Sequence, residues 1–476
     1  MNTLNRVGGK PSSTNLSAQY TLTSAIPVSL IQTISVKISP PGLKSREFLE
    51  RMKKVIGRSN YVGLYGIVIA NSAGAYIVDL DGNVYLDCLA AASCNILGYK
   101  HREVAREYYQ VAKVLQNSCF PYSPNLQAVE LAEHLVRITP GDYPKKVLLG
   151  LSGSDSCDGA IEAMRKYTHK LALIKFKNDY HGSTGLSQAA SGFKTLNLGI
   201  YPASHNFITV NYPITLQQRD ETVREIEHIL AQGKVGGVMA EPIQGDAGII
   251  VPYPGFFPRL KEIIDRYQAL LIVDEVQSGM GRTGKWWAIE HENMIPDILV
   301  TAKGLSAGYA PISALIGREE IIDSLAPAQH LFTYTGHPPS AAAASKVIQI
   351  IEEKNIITNA AKIGKTIIEG LRHIQAKYPQ FISDVRGKGL MIGVEIDISR
   401  DKLAGKVFAT RCVEKGVYVG YSGVNQNVIR IEPPLIITQS QADIIVNTIN
   451  EVAEEIYLQR IPQSTIDKVH KFAIGL

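Results

Sequence analysis

The sequence has few cysteines and tryptophans, and it contains no long apolar run. Its five cysteines are scattered and odd in number, with no Cys-x-x-Cys pair, which argues against a disulfide framework and against a zinc site. We therefore expect reduced thiols and a cytoplasmic protein. No uninterrupted apolar stretch reaches the roughly 18 residues that a membrane helix needs, so we expect no membrane partner.

Excess charge of either sign is also small. The formal net charge is +5 over 476 residues, and the basic side chains do not gather into one block. A nucleic-acid partner would require a basic stripe or patch, so we expect none. The hydrophobic share of 45% and the charged share of 20% are ordinary for a globular protein. The length allows a sizeable core and two or more domains.

The first 46 residues contain no aspartate or glutamate and are rich in serine and threonine. An acid-poor, serine-rich start is found in organelle transit peptides. The alternative is a flexible arm over residues 1–45 that drapes over a neighbouring subunit. Pro40-Pro41-Gly42 resembles an ordinary linker end, and the arm lacks the arginine enrichment of a transit peptide.

Beyond the arm, strand-like and helix-like segments alternate. Short apolar runs are separated by amphipathic helices, which is typical of a mostly parallel sheet covered by helices on both faces. We predict an α/β large domain over residues 106–340. The predicted strands cover residues 146–151, 171–176, 236–240, 269–273 and 298–300, and predicted helices include residues 45–56, 126–138, 157–169 and 257–267.

A smaller α+β domain is predicted over residues 341–476. One long helical stretch, 340–378, precedes strand-like segments at 385–396 and 428–431. Residues 46–105 are predicted to contribute to this small domain. They include a hairpin at residues 75–86. Its turn, Asp81-Gly82-Asn83, contains a glycine, the residue that most readily adopts the positive φ of a hairpin turn.

Two charged residues stand at the ends of predicted strands. Asp274 ends the apolar run Leu270-Leu271-Ile272-Val273, and Lys303 follows Ile298-Leu299-Val300. Ligand chemistry in open α/β sheets occurs at such strand ends. An acid there can pair with a protonated pyridine nitrogen, and a partly desolvated lysine suits Schiff-base formation. Taken singly, Asp274 could be a helix-capping acid and Lys303 a surface lysine.

A small-residue loop and an aromatic turn complete the pattern. Gly150-Leu151-Ser152-Gly153-Ser154-Asp155 joins a strand to a helix, where backbone N–H groups can receive a phosphate. Tyr180-His181-Gly182 places an aromatic ring at a turn, suited to stacking on a flat cofactor. Each feature alone is weak, since the loop could be an ordinary turn and Tyr180 a core aromatic. Together with Lys303 and Asp274 they supply what pyridoxal 5′-phosphate (PLP) requires.

These residues carry a resemblance to the class III aminotransferases, a family of fold-type I PLP enzymes. The resemblance extends from about residue 46 to about residue 460. Its strongest part consists of three motifs in order: Asp274-Glu275-Val276-Gln277, Gly279-Met280-Gly281-Arg282-Thr283-Gly284 and Ala302-Lys303-Gly304-Leu305.

The resemblance implies a role for each site residue. Lys303 would form the Schiff base and then act as general base, and Asp274 would pair with the pyridine nitrogen. Gln277 would approach the ring hydroxyl. Gly153 and Ser154 would hold the phosphate, and Tyr180, followed by His181, would stack on the ring.

Two further positions are implied by the same resemblance. Thr333, in Phe332-Thr333-Tyr334-Thr335-Gly336, matches the family threonine that reaches the phosphate of the neighbouring subunit, which implies a homodimer with sites at the interface. Arg430, in Ile429-Arg430-Ile431-Glu432-Pro433-Pro434-Leu435, resembles the arginine placed near a substrate carboxylate. A guanidinium can bind a carboxylate through two hydrogen bonds.

The sequence departs from the common aminotransferase pattern at two positions. Asp246 follows Glu241-Pro242-Ile243-Gln244-Gly245 where many members have glutamate, and Asp155 likewise replaces a frequent glutamate. Several stretches are similar to the amino-acid racemase and epimerase branch, which includes isoleucine 2-epimerase and aminocaprolactam racemase. In that branch the aspartate that matches Asp246 is proposed as a second base. The alternative is that Asp246 only replaces glutamate in a salt bridge.

Three functions are therefore in view. The first is transamination, in which the amino group of an amino acid or amine passes to a 2-oxo acid, because this is the majority activity of the family. The second is racemisation or epimerisation by Lys303 and Asp246. The third, a scaffold that has lost catalysis, is disfavoured because Lys303 and Asp274 are both present.

Overall fold

The computed structural model describes residues 31–193 and 206–473 of the chain. A seven-stranded sheet lies at its centre, in the order β4-β10-β9-β8-β7-β5-β6. Strand β10 is antiparallel to both of its neighbours, and β9, β8, β7, β5 and β6 run parallel to one another. The strands are β4 Lys145–Gly150, β5 Ala172–Phe176, β6 Phe207–Val210, β7 Val235–Ala240, β8 Leu270–Asp274, β9 Ile298–Thr301 and β10 Ser313–Arg318.

The central strands are buried along their whole length because helices cover the sheet. Every residue of β5, β7, β8 and β9 is buried, as expected for strands of a parallel sheet. Asp274 is the last residue of β8, so the first ionisable group of this strand lies where it leaves the core. The prediction of an α/β fold with a mostly parallel sheet is confirmed.

Thirteen right-handed α-helices of the described residues surround the three sheets. They are α1 Leu43–Lys53, α2 Arg102–Val114, α3 Leu126–Ile138, α4 Gly153–Thr168, α5 Gly185–Ala190, α6 Leu216–Leu230, α7 Phe256–Arg266, α8 Glu319–Ile322, α9 Pro338–Glu353, α10 Ile356–Lys377, α11 Ala404–Glu414, α12 Gln439–Tyr457 and α13 Gln463–Ala473. Within the described residues no helix is long and apolar enough to cross a membrane.

Two four-stranded sheets lie outside the central one. The first has the order β1-β2-β3-β13, with β1 Ile69–Ala73, β2 Tyr76–Asp79, β3 Val84–Asp87 and β13 Val417–Tyr418. The second has the order β11-β12-β15-β14, with β11 Ile382–Lys388, β12 Met391–Ile396, β14 Gly420–Ser422 and β15 Val428–Ile431. In the first sheet, β3 and β13 pair in parallel, so residues from both ends of the chain share it. The predicted domain boundaries stay a prediction.

The predicted long helix and the last predicted strand pair are each interrupted. Residues 340–378 form two helices, α9 and α10, because Asn355 adopts a left-handed conformation with φ of +51°. Asparagine tolerates this conformation better than most residues. Residues 385–396 form the antiparallel hairpin β11–β12 rather than one strand. Both errors have the same origin, since apolar periodicity alone does not register a short reversal between two similar segments.

The predicted N-terminal arm falls largely on residues 1–30, which lie outside the described residues. The described part of it contacts the hairpin β2–β3. Ser35 pairs with Val84 through two backbone hydrogen bonds of 2.9 and 3.0 Å, and the Asn83 side chain accepts from the N–H groups of Lys37 and Ile38.

Candidate active site

A cavity of about 630 Å³ lies at the carboxyl ends of β8 and β9, beside the N-terminus of α4. Because parallel strands end at the same edge of a sheet, residues that are distant in sequence meet there. Seven of the predicted site residues line this cavity: Gly153, Ser154, Tyr180, His181, Asp274, Gln277 and Lys303.

Lys303 opens a short 3₁₀ turn, Lys303–Ser306, directly after β9. Its Nζ donates to Oε1 of Gln277 at 2.8 Å. Gly245 packs against the Gln277 side chain so closely that a Cβ there would lie 2.5 Å from Oε1. The glycine of the Gln244-Gly245 turn therefore leaves room for the amide that contacts the lysine.

Asp274 lies in a buried line of three ionisable groups. Its Oδ2 accepts from Nδ1 of His181 at 2.8 Å, and Nε2 of His181 lies 3.2 Å from Asp179 Oδ2. Burial disfavours the protonated imidazole, but the hydrogen bonds to Asp179 and Asp274 outweigh it and raise the pKa of His181 to about 10. An imidazolium between two carboxylates makes charge-assisted hydrogen bonds that hold the side chain of Asp274 in place.

The N-terminus of α4 supplies the anion-binding part of the cavity. Ser152 caps this helix together with Asp155 in a reciprocal capping box, so Asp155 has a structural role here. The first N–H groups of a helix have no intrahelical acceptor, and Gly153 and Ser154 present theirs at the cavity. Gly182 contacts this loop with φ of +143°, and a Cβ on it would lie 2.6 Å from Ser154 Oγ.

Tyr180 lines the cavity beside a buried acid, Glu241. Its backbone N–H donates to Glu241 Oε1 at 2.9 Å, and its hydroxyl lies 2.9 Å from Ser183 Oγ. Glu241 also accepts from the N–H of Gly245. Burial, together with the charges of Asp179 and Asp274, raises the pKa of Glu241 to about 8. Glu241 holds the turns of Tyr180 and Gly245 in place through its two oxygens.

Arg430 and Asp246 lie together at the other end of the site. Arg430 is in β15, and its Nη1 donates to Asp246 Oδ1 at 2.7 Å. The side chain of Arg430 is 12% exposed and that of Asp246 is 39% exposed. Neither residue lines the cavity itself. They connect to it through Glu432, which contacts both Arg430 and Gln277.

Thr333 is separated from the other predicted site residues. It is exposed and does not line the cavity, and its carbonyl accepts from Nδ2 of Asn117 at 3.4 Å. An exposed position is compatible with contact to another copy of the chain, so the implied role of Thr333 stays a prediction.

Three residues of the site were missed by sequence reasoning: Asp179, Glu241 and Glu432. All three carboxyl groups are buried. The sequence did contain an indication in each case. Each acid lies inside or next to one of the motifs described above and is flanked by residues of a buried strand or turn. Glu432 gave the clearest signal, since it stands between Ile431 and Pro433 directly after the mostly apolar strand β15.

Comparisons with known proteins agree with this geometry. The chain matches the family model "Aminotransferase class-III" over residues 58–453. It is 34% identical over 465 residues to an alanine/serine racemase of Pyrococcus horikoshii, with 93% of this chain and 97% of that protein covered. A leucine/methionine racemase of Thermococcus litoralis is 35% identical over 449 residues, with 90% and 100% covered.

Aminotransferases are similarly related. A 4-aminobutyrate aminotransferase of Escherichia coli is 32% identical over 413 residues, with 83% of this chain and 95% of that protein covered. The crystal structure of a transaminase from the marine bacterium Virgibacillus superposes with a TM-score of 0.82 at 27% identity, covering 87% of this chain and all of that one. With the match of the family model over most of its length, the chain belongs to the class III aminotransferase family.

Proposed function

We propose that this protein is a PLP-dependent aminotransferase that moves the amino group of an amino acid or amine to a 2-oxo acid, with Lys303 as the cofactor-bearing lysine. Members of the class III aminotransferase family are PLP enzymes. The observation that carries the proposal is the convergence of Lys303, Asp274 and the N-terminus of α4 on one cavity. When bound, PLP supplies an electron sink for the carbon that carries the amino group.

The residues present fit this cofactor. The glycine at position 153 leaves a cradle, since a Cβ there would lie 2.9 Å from Val276, and the adjacent helix N-terminus favours a phosphate. Asp274 would hold a proton on the pyridine nitrogen, and the hydrogen bond from His181 would keep its side chain in position. Tyr180 would cover one ring face.

Lys303 would have a second task beyond carrying the cofactor. Once the substrate amine has replaced it, its free Nζ would remove the proton at the substrate Cα, as a general base, and would pass it to the adjoining carbon of the cofactor, as transamination requires. Gln277 accepts from this Nζ at 2.8 Å, so its amide oxygen would keep the amine directed at the cavity. Arg430 would bind a substrate carboxylate after Asp246 gives way.

Racemisation or epimerisation of an amino acid is the second candidate. It is favoured by Asp246, which pairs with Arg430 at 2.7 Å, and by the names of relatives such as the alanine/serine racemase and the leucine/methionine racemase. A substrate carboxylate that takes Arg430 would release Asp246 to act as the second base. Transamination leads because it needs only Lys303.

One experiment separates the two reactions. Purified enzyme loaded with PLP is incubated with single L-amino acids in deuterated water, with and without pyruvate or 2-oxoglutarate. Turnover that requires the oxo acid supports transamination, whereas catalytic formation of deuterated D-amino acid without it supports racemisation. Borohydride reduction followed by peptide mapping should place the cofactor on Lys303, and a label on another lysine would contradict both.

The variant Asp246→Asn tests the second candidate directly. If Asp246 is the second base, racemisation collapses while transfer of the amino group to the cofactor in a single turnover survives. Equal loss of both reactions would indicate that Asp246 only supports Arg430.

We also propose a homodimer whose sites lie at the interface. Large apolar side chains near Thr333 are exposed, including Tyr122, Leu126, Leu331 and Tyr334, and such patches favour association. Mixing Lys303→Ala with Thr333→Asp, each with low activity, tests this. Activity should return on exchange of subunits, because one site per heterodimer then has both native residues. No recovery despite exchange would place Thr333 at its own chain's site or at none.

A further inference from the structure

Glu432 is a buried carboxylate in contact with both ends of the site. Its side chain has no exposed surface, and both carboxylate oxygens lie within hydrogen-bond distance of Nε2 of Gln277, at 2.9 and 3.2 Å. The other end of the same amide, Oε1, accepts from Lys303 Nζ. A carboxylate only accepts and an ammonium group only donates. Glu432 therefore fixes the orientation in which the oxygen of Gln277 faces Lys303.

Glu432 also shares Arg430 with Asp246. Its Oε2 lies 3.6 Å from Nε of Arg430, while Asp246 Oδ1 lies 2.7 Å from Nη1. The first distance is that of an ion pair without a hydrogen bond. The two carboxylates differ in accessibility, because Asp246 is 39% exposed and Glu432 is fully buried. An incoming anion can displace Asp246, but Glu432 stays with the guanidinium.

The consequence is a charge balance that is unfavourable to a second substrate carboxylate. Once a substrate carboxylate has displaced Asp246, Arg430 and Glu432 together carry no net charge, and the released Asp246 is negative. Among the cavity-lining residues of the described chain, Lys303 is the sole lysine or arginine. Arg282 lies near both Glu432 and Asp87, but it is fully buried and does not line the cavity, so it offers no contact to a substrate carboxylate.

We infer that Glu432 is a positioning and specificity-determining residue, which orients Gln277 toward Lys303 and restricts the enzyme to amino acids without an acidic side chain. This inference rests on the proposed function, since it needs an amino-acid substrate at the cofactor. A side-chain carboxylate would enter a region that already has excess negative charge, and like charges in a poorly hydrated site repel strongly.

The test compares L-glutamine with L-glutamate, which have nearly the same size and differ by one charge. Each is titrated into the PLP-loaded enzyme, and the change in cofactor absorbance gives an apparent dissociation constant. This readout precedes the division between transamination and racemisation, so it applies to both. We expect the native enzyme to bind glutamine at least about tenfold more tightly than glutamate. Equal affinities would overturn the specificity role.

Two substitutions separate charge from position. Glu432→Gln retains an oxygen that can accept from Gln277 but removes the charge, so the preference for glutamine should fall to within about threefold. Glu432→Leu removes the charge and the accepting oxygen, so it should also shift the pH midpoint of the cofactor absorbance. In Glu432→Gln, which keeps an accepting oxygen, the midpoint should equal that of the native enzyme. An unchanged preference in Glu432→Gln, or an unchanged midpoint in Glu432→Leu, overturns the corresponding role.

A matched control measures the effect of neutralising a buried, ion-paired glutamate that lies away from the cavity. Glu414 is 8% exposed, pairs with Arg411 and Lys468 and does not line the cavity. Glu414→Gln should leave both the glutamine preference and the midpoint unchanged, and an equal effect would overturn the inference. If glutamine, glutamate and alanine all leave the absorbance unaltered, the proposed function fails. Equal binding of glutamine and glutamate would instead contradict only the specificity role of Glu432.

Discussion

The floor and the rim of the active site are built differently. The floor consists of Asp274, His181, Gln277 and Lys303, which lie at strand ends or in adjoining turns, have little or no exposed surface except for the partly buried Lys303, and bond to one another. The rim consists of Asp246, Arg430 and the turn at residues 90–93, which come from loops and from β15. Asp246 is half-buried, and residues 90–93 all have positive φ.

The difference separates what can move from what cannot. Asp274, His181 and Gln277 each have two or more partners, so a substitution there leaves another buried polar or charged group without its partner. Rim residues have partners that a substrate can replace, or backbone angles that cost energy. We therefore expect substitutions in the floor to impair chemistry and those at the rim to alter binding or stability.

The largest effect is expected for Asp274→Asn. The amide cannot hold a proton on the pyridine nitrogen and leaves the His181 imidazolium with one carboxylate, so the turnover number should fall by about 10³-fold. Steady-state kinetics with saturating PLP measure it. Activity within threefold of the native value would remove Asp274 from the chemistry.

The charge of His181 should appear in the pH dependence of stability. Because its folded-state pKa of about 10 lies above the ordinary value of 6.5, the stabilisation is complete below pH 6.5 and is lost as the pH rises toward 10. The difference in unfolding free energy between the native protein and His181→Asn should shrink by about 4 kcal/mol over this range. Urea titrations at fixed pH measure it.

His291 provides the control for that experiment. Burial and the nearby charge of Lys388 lower the pKa of His291 to about 4, so its contribution changes between pH 4 and 6.5 with the opposite sign. His291→Asn should therefore give a constant difference from pH 7 to pH 10. A pH-independent difference for His181→Asn would show that His181 is neutral in the folded protein.

A smaller effect is expected at the rim for Arg430→Lys. Lysine keeps the charge but loses the planar pair of donors, so KM for the amino acid should rise about tenfold while kcat changes less. A fall in kcat with KM unchanged would place Arg430 with the floor residues instead.

The smallest effect is expected for Ala92→Gly. Ala92 has φ of +57° within a run of four left-handed residues, Ala90 to Ser93. Such a conformation costs a residue with a Cβ about 1 kcal/mol, and glycine avoids this cost. Glycine is also more flexible in the unfolded chain, so its larger loss of entropy on folding offsets part of the gain. We expect a net gain of about 0.5 kcal/mol in a urea titration. The same change at Ala163, in the middle of α4, should destabilise.

The floor was the more predictable region. Asp274 and Lys303 each follow a run of apolar residues, and parallel strands end at one edge, so local pattern alone brings them together. Helix α3 and strand β15 have the predicted bounds for a related reason: their apolar spacing is regular and their ends carry clear stop signals. The family resemblance then supplied roles that no pattern provides.

The rim and the reversals were less predictable because they depend on contacts between distant segments. Nothing local indicates that Glu432 faces Gln277, which lies 155 positions away, or that residues 90–93 turn left-handed without a glycine. Strand β10 was likewise not assigned as a strand, although it separates β4 from β9. Its antiparallel direction is set by its neighbours rather than by its own sequence.

The sheet shared by β3 and β13 has a consequence for how the chain is made. The backbone N–H groups of Leu86 and Cys88 donate to the carbonyl groups of Gly416 and Tyr418. The hairpin β2–β3 is synthesised early, so the outer edge of β3 stays unpaired until more than 300 further residues have left the ribosome. Completion of this sheet is therefore a late event. Truncation before residue 416 would leave that edge exposed permanently, and an unpaired strand edge is a site of aggregation.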